Sequence, residues 1–146
     1  MALSLTPGPL DHEASERLEL PAYHAEFRKR FERARECWRL DRGQVFAVPG
    51  DESWEAFRRG DWEESLRLIS GRRAELAEDR RRNDARGMTI RRVRVVALPP
   101  GPYVQWELRL LLLRYEHGQP ARVLLDRDIT GVEELTRLPE ISTLDT

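Results

Sequence analysis

Cysteine occurs once, at Cys37, and lysine once, at Lys29. A lone thiol excludes an internal disulfide and any site built from several thiolates. It fits a reducing compartment, so a cytoplasmic location is expected. The histidines His12, His24 and His117 form no pair at i,i+3 or i,i+4 spacing, so no metal site and no cofactor are expected. Long hydrophobic runs are missing too. The four leucines at 110–113 are far too few to cross a bilayer, and residues 1–10 lack the basic start and apolar stretch of a signal peptide. An excess of one charge is also absent. The 25 cationic and 26 acidic residues leave a net charge of −1, so the molecule as a whole has no electrostatic reason to seek nucleic acid or an anionic membrane. Arginine suits bidentate pairing, but a preference over lysine this extreme reads as GC-rich coding rather than mechanism.

What is present suffices for one domain: 146 residues, 40% hydrophobic and 35% charged, give a real core under an ionic surface. The chain is organised around residues 87–128. Ile90, Val93, Val95 and Val96 predict a strand, closed by Pro99, Pro100 and Gly101. A leucine-rich stretch follows, and then Val123, Leu124 and Leu125 predict a second strand. Between them, residues 103–113 alternate like a strand at first, but consecutive leucines and Pro102 at a first-turn position favour a helix. Strand, helix and strand in this order predict a parallel βαβ unit and an α/β class. Were 103–113 a strand, the class would be α+β.

Earlier in the chain, Tyr23, Phe27, Arg30, Phe31, Ala34 and Trp38 recur at spacings of three and four. They predict an amphipathic N-terminal helix that runs to Trp38 and places Cys37 at its end, as a core filler. Residues 38–48 favour extended structure. Asp51 and Asp61 are placed to cap two helices, over 52–59 and 62–82, with Ser70 and Gly71 splitting the second. Gly87 is expected in the left-handed region behind that helix. Thr130 and Glu133 have capping-box spacing and predict a short last helix, closed by Pro139. The expected organisation is a flexible arm over 1–20, a single domain over 21–138 and a loose tail over 139–146.

Three groups of residues invite a function. Parallel sheets bind ligands beyond the carboxyl ends of their strands, which nominates a rim of Tyr103, Glu107, Asp126, Arg127 and Asp128 for a ligand or a partner. Glu107 with Asp126 or Asp128 would serve acid–base chemistry, but Glu107 more simply pairs with Arg114 or with a strand arginine. The run from 72 to 94 holds Arg72, Arg73, Arg80, Arg81, Arg82, Arg86, Arg91, Arg92 and Arg94 against four acids. That patch suits phosphates but has no aromatic residue for base stacking. No nucleophile stands beside a histidine, so no catalytic residue is nominated.

The stretches WRLDRGQVFAVPGD (38–51) and RVRVV (92–96), with Pro99, Tyr103, Trp106 and Glu107, resemble the actinobacterial DUF6879 family. The resemblance spans roughly 23–128. Gly118-Gln119 stands where the family usually has Gly-Glu, and Leu144-Asp145 is a remnant of its terminal motif. Family members are often encoded beside small helix-turn-helix regulators. The resemblance therefore implies a non-enzymatic regulatory or protein-interaction module with a protein partner of that kind, and a homodimer is compatible with it. A degenerate phospholipase D-like or phosphate-handling domain is the alternative it implies, although His117 is followed at 121 by alanine where that superfamily places its lysine. Direct nucleic-acid contact through the 72–94 run is the remaining alternative.

Overall fold

A computed structural model describes residues 16–145. Most of the expected arm, 1–15, lies outside the described residues, and 16–19 precede the first helix without regular structure. That helix, α1 (Leu20–Phe31), carries Pro21 in its first turn and arginines and Lys29 in its last, the placement a helix dipole favours. It ends seven residues before the expected Trp38. The segment that follows instead enters the sheet as β1 (Glu36–Asp41), so Cys37 and Trp38 are strand residues. The stripe Tyr23–Phe27–Phe31 was real; its extension through Ala34 and Trp38 was a coincidence of spacing.

Three helices connect β1 to the next strand. In α2 (Glu52–Arg58) and α3 (Trp62–Ser70), Asp51 and Asp61 accept from the backbone N–H groups of Trp54 and Glu64, as expected of acidic N-caps. Chain direction breaks at Gly71, and α4 (Arg73–Ala85) follows. Gly87 closes α4 at φ +68°. The N–H groups of Gly87 and Met88 bond back to Asp84 and Asn83, a Schellman arrangement that a side chain at 87 would strain.

The expected βαβ unit is present. β2 (Thr89–Val96), α5 (Pro102–Glu116) and β3 (Ala121–Leu125) follow in order, and β2 and β3 pair in parallel. The helix at 102–116 makes the class α/β. The sheet runs β3-β2-β1-β4 and is mixed. Its fourth strand, β4 (Ile141–Leu144), pairs antiparallel with β1. The C-terminal tail is thus a sheet edge and not loose. Nor does a helix form after Thr130; a 3-10 turn at Asp126–Ile129 precedes irregular chain. The physical reason lies in Glu133. Its carboxylate does not fold back to a cap but forks onto the Arg42 guanidinium at 2.6 Å and accepts from the N–H of Leu138.

Alternation along the strands decides which side chains meet the helices. Cys37, Arg39 and Asp41 share a face with their registered partners Ile90, Arg92 and Arg94, and Val96 continues that face into the main core. There Val96, Tyr103, Val104, Trp106 and Leu113 pack with Ile69 and Leu76. Phe57 stacks on Trp106 at 5.8 Å and meets Tyr103 edge-on. Trp38 and Arg91 lie on the opposite face, where the guanidinium sits over the indole at 5.1 Å and Trp38 stays 43% exposed.

Candidate functional site: an arginine-lined cleft

The helical face of the sheet contains an unusual row. Arg92 and Arg94 occupy alternate positions of β2 and point toward the helices, while Val93 and Val95 take the other side. Arg94 is completely buried. Its Nε donates to Glu107 Oε2 at 2.5 Å, and its Nη1 donates to the carbonyls of Gly43, Val95 and Asp41. Glu107 therefore pairs with a strand arginine and not with Arg114. Burial pushes its carboxyl above the usual carboxylate range, against the pull of Arg94. Arg92 pairs with Asp41, both side chains largely buried.

The row does not end there. Arg39 lies directly opposite Arg92 in the β1–β2 register, and its Nε is buried with no hydrogen-bond partner among the described residues. Arg114, near the end of α5, reaches the same place and donates only to the amide oxygen of Gln119, at 3.1 Å. Burial, with Arg92 and Arg39 nearby, holds its guanidinium below the ordinary arginine range. Two carboxylates, Asp41 and Glu107, thus serve four sheet-facing guanidinium groups. Among the described residues, Arg39 and Arg114 are the two left without an acid. Desolvated cations without counter-ions are costly, and like charges opposed across strands add to that cost.

Both unmatched groups open into one cleft of about 690 Å³, within the range of ligand pockets. Cys37, Arg39, Ile90 and Arg92 form its sheet side. Phe27, Arg28 and Phe31 of α1 form one wall, and Asp79, Arg82 and Asn83 of α4 with Arg86 just past its end form the other. Six arginines line it against two carboxylates, Glu32 and Asp79, and Asp79 is already engaged by Arg82. Arg86 is fixed by the carbonyls of Phe31 and Glu32 and lies over the Phe31 ring at 4.9 Å. Cys37 is 1% exposed. Burial raises its thiol, although Arg39 and Arg92 oppose the shift, so it is a packed thiol and not a poised thiolate.

The residues nominated from sequence are placed differently. The rim of Tyr103, Glu107, Asp126, Arg127 and Asp128 divides in two. Tyr103 and Glu107 are buried, the tyrosine in the aromatic core with its phenol shifted upward by burial. Asp126 opens the 3-10 turn half-buried, and Arg127 and Asp128 beside it are exposed and face each other at 3.8 Å. Helix α5 starts at Pro102, a short loop after β2, and its first two turns bury Tyr103 and Glu107, which the expected rim would expose. The nine arginines of the 72–94 run are not one free surface either. Arg72 binds Asp51 at 2.7 Å and Arg73 binds Glu116 at 2.6 Å. Arg80, Arg81 and Arg82 pair along α4 with Asp84, Glu78 and Asp79. Arg91 pairs with Glu36 on the far face of the sheet, Arg94 is interior, and only Arg82, Arg86 and Arg92 reach the cleft.

Sequence reasoning missed Arg39 and Arg114. Register between β1 and β2 is what opposes Arg39 to Arg92, and spacing along the chain does not reveal it. One signal was available: arginines at alternate positions of a valine strand mean that one face of that strand is ionic. The family model described as "Domain of unknown function (DUF6879)" matches residues 25–146. No curated protein and no solved structure matches the chain.

Proposed function

The chain belongs to the DUF6879 family, and from that premise we propose a non-enzymatic regulatory interaction module that takes an acidic group of a protein partner into the arginine cleft. One observation carries the reading. Arg39 is partly buried and opposed by a second arginine, and its Nε is buried with no partner among the described residues, at the side of an open cleft. A charge arranged this way destabilises the free protein, and an incoming anion relieves it. Arginine also supplies the planar fork that fixes a carboxylate or phosphate in one orientation. Two groups in the cleft wall support binding over turnover: Cys37 is held as a thiol by burial, and Asp79 is engaged by Arg82. The resemblance to a family encoded beside helix-turn-helix regulators supports a DNA-binding regulator as the partner, and a cytoplasmic site of action.

Pairing of the 72–94 arginines weighs against a stripe tracking a nucleic-acid backbone, because those charges are already neutralised locally. The reading is tested by co-purification with the regulator encoded in the neighbouring gene. Arg39→Glu is expected to abolish a complex that forms with the wild type and weakens with salt. A complex indifferent to Arg39→Glu and Arg114→Glu would remove the cleft from the account.

A further inference from the structure

The chemistry of the cleft narrows the class of anion. Resting on the cleft as the binding site, we propose that it seats a phosphate monoester whose ester group is aromatic. Charge is the first argument. Arg28 and Arg86 in the walls form no ion pair among the described residues, and at the sheet the two guanidinium groups of Arg39 and Arg114 have no acid there either; a carboxylate would match one of these two. A phosphate monoester carries about −1.5 to −2 at neutral pH and three acceptor oxygens, which matches both.

Donor inventory is the second argument. A guanidinium offers five N–H donors in a fixed fork. Arg114 spends one on Gln119, and Arg39 lines the cleft with its Nε buried and unbonded among the described residues, so its terminal N–H groups are the ones a ligand meets. Donors held in place before the ligand arrives lose little entropy on binding it.

The third argument is the apolar wall. Phe27 and Phe31 stack on each other with centroids 5.9 Å apart along the edge of the same cleft. No residue of α1 is buried. An aromatic ring attached to the phosphate gains contact with this wall while the oxygens meet the arginines. A bare phosphate leaves the wall in water.

Such a group reaches the cleft either as a phosphorylated tyrosine of the partner or as a free aromatic phosphate, and the two sources are separable. Calorimetric titration of the full chain compares phenyl phosphate, inorganic phosphate and phenylacetate. Phenyl phosphate is expected to bind about tenfold tighter than inorganic phosphate, as an added aromatic stacking contact allows, and phenylacetate is expected to bind weakest. Phe27→Ala should erase the advantage of the phenyl group and leave inorganic phosphate unchanged. Arg39→Gln and Arg114→Gln should each abolish both, in proteins whose circular dichroism confirms folding. A phosphotyrosine peptide binding more tightly than phenyl phosphate assigns the source to a partner chain; equal binding assigns it to a free molecule.

Absence of phenyl phosphate binding to the wild type overturns the proposal, and so does phenylacetate binding equally well. The two readings fail separately. A regulator captured through Arg39 while phenyl phosphate is ignored removes only the phosphate inference. Phenyl phosphate bound through Arg39 while the regulator is ignored removes only the partner.

Discussion

Arg39 and Arg92 are registered neighbours on parallel strands, and only Arg92 has a carboxylate. The natural residue at 39 therefore costs the free protein stability. Arg39→Leu is expected to raise stability by about 1 kcal/mol in urea melts, since it removes an opposed like charge and a buried, unbonded Nε–H. Phosphate should stabilise the wild type in the same melts and leave Arg39→Leu unmoved.

Arg94 and Glu107 behave in the opposite sense. Arg94→Met leaves a buried carboxylate with no cation, and a loss of roughly 3–5 kcal/mol is expected. The double variant Arg94→Met/Glu107→Leu should recover most of it, because an apolar pair needs no counter-charge. A double-mutant cycle by denaturant unfolding checks this, and additive losses would contradict it.

Acid should loosen the C-terminal segment first. The Arg42 fork, helped by the Leu138 N–H, holds the Glu133 carboxyl down to about 2. The Asp145 carboxyl is also lowered, chiefly because the backbone N–H groups of Glu36 and Arg35 donate to it. Folded-state values below the unfolded ones give stability that is complete above the ordinary carboxylate range and lost as pH falls toward 2. Hydrogen exchange at β4 is therefore expected to quicken between about pH 4.5 and pH 2, ahead of β2. Glu133→Gln should flatten much of that dependence. Exchange at β4 that is independent of pH, once corrected for intrinsic rates, would contradict this account.

Cys37 should resist thiol reagents. It is almost wholly buried and its thiol is raised, so labelling is expected to follow global unfolding, and addition of urea should accelerate it sharply. Rapid labelling of the native protein would show that the cleft opens down to the sheet.

The central βαβ unit was legible because each part of it carries its own local signal. Val93, Val95 and Val96 mark a strand, Pro102 and the leucines mark a helix, and the acidic caps Asp51 and Asp61 sit where their helices begin. Long-range pairing was not legible. Ala34 and Trp38 continued the helical spacing of Phe27 and Phe31 although 38–48 favoured extended structure, and the hydrogen bonds of β2 and β4 draw 36–41 into the sheet. Glu133 had the spacing of a cap and was taken by Arg42, some ninety residues away. Arg39 looked like any charge in an arginine-rich chain until the register set it against Arg92.

The most direct measurement is the Arg39 Nε–H resonance of the full chain during titration with phosphate. The account predicts a resonance that shifts in step with that of Arg114 as phosphate is added and saturates with it. A resonance unmoved by saturating phosphate while that of Arg114 shifts, or both unmoved, would contradict it.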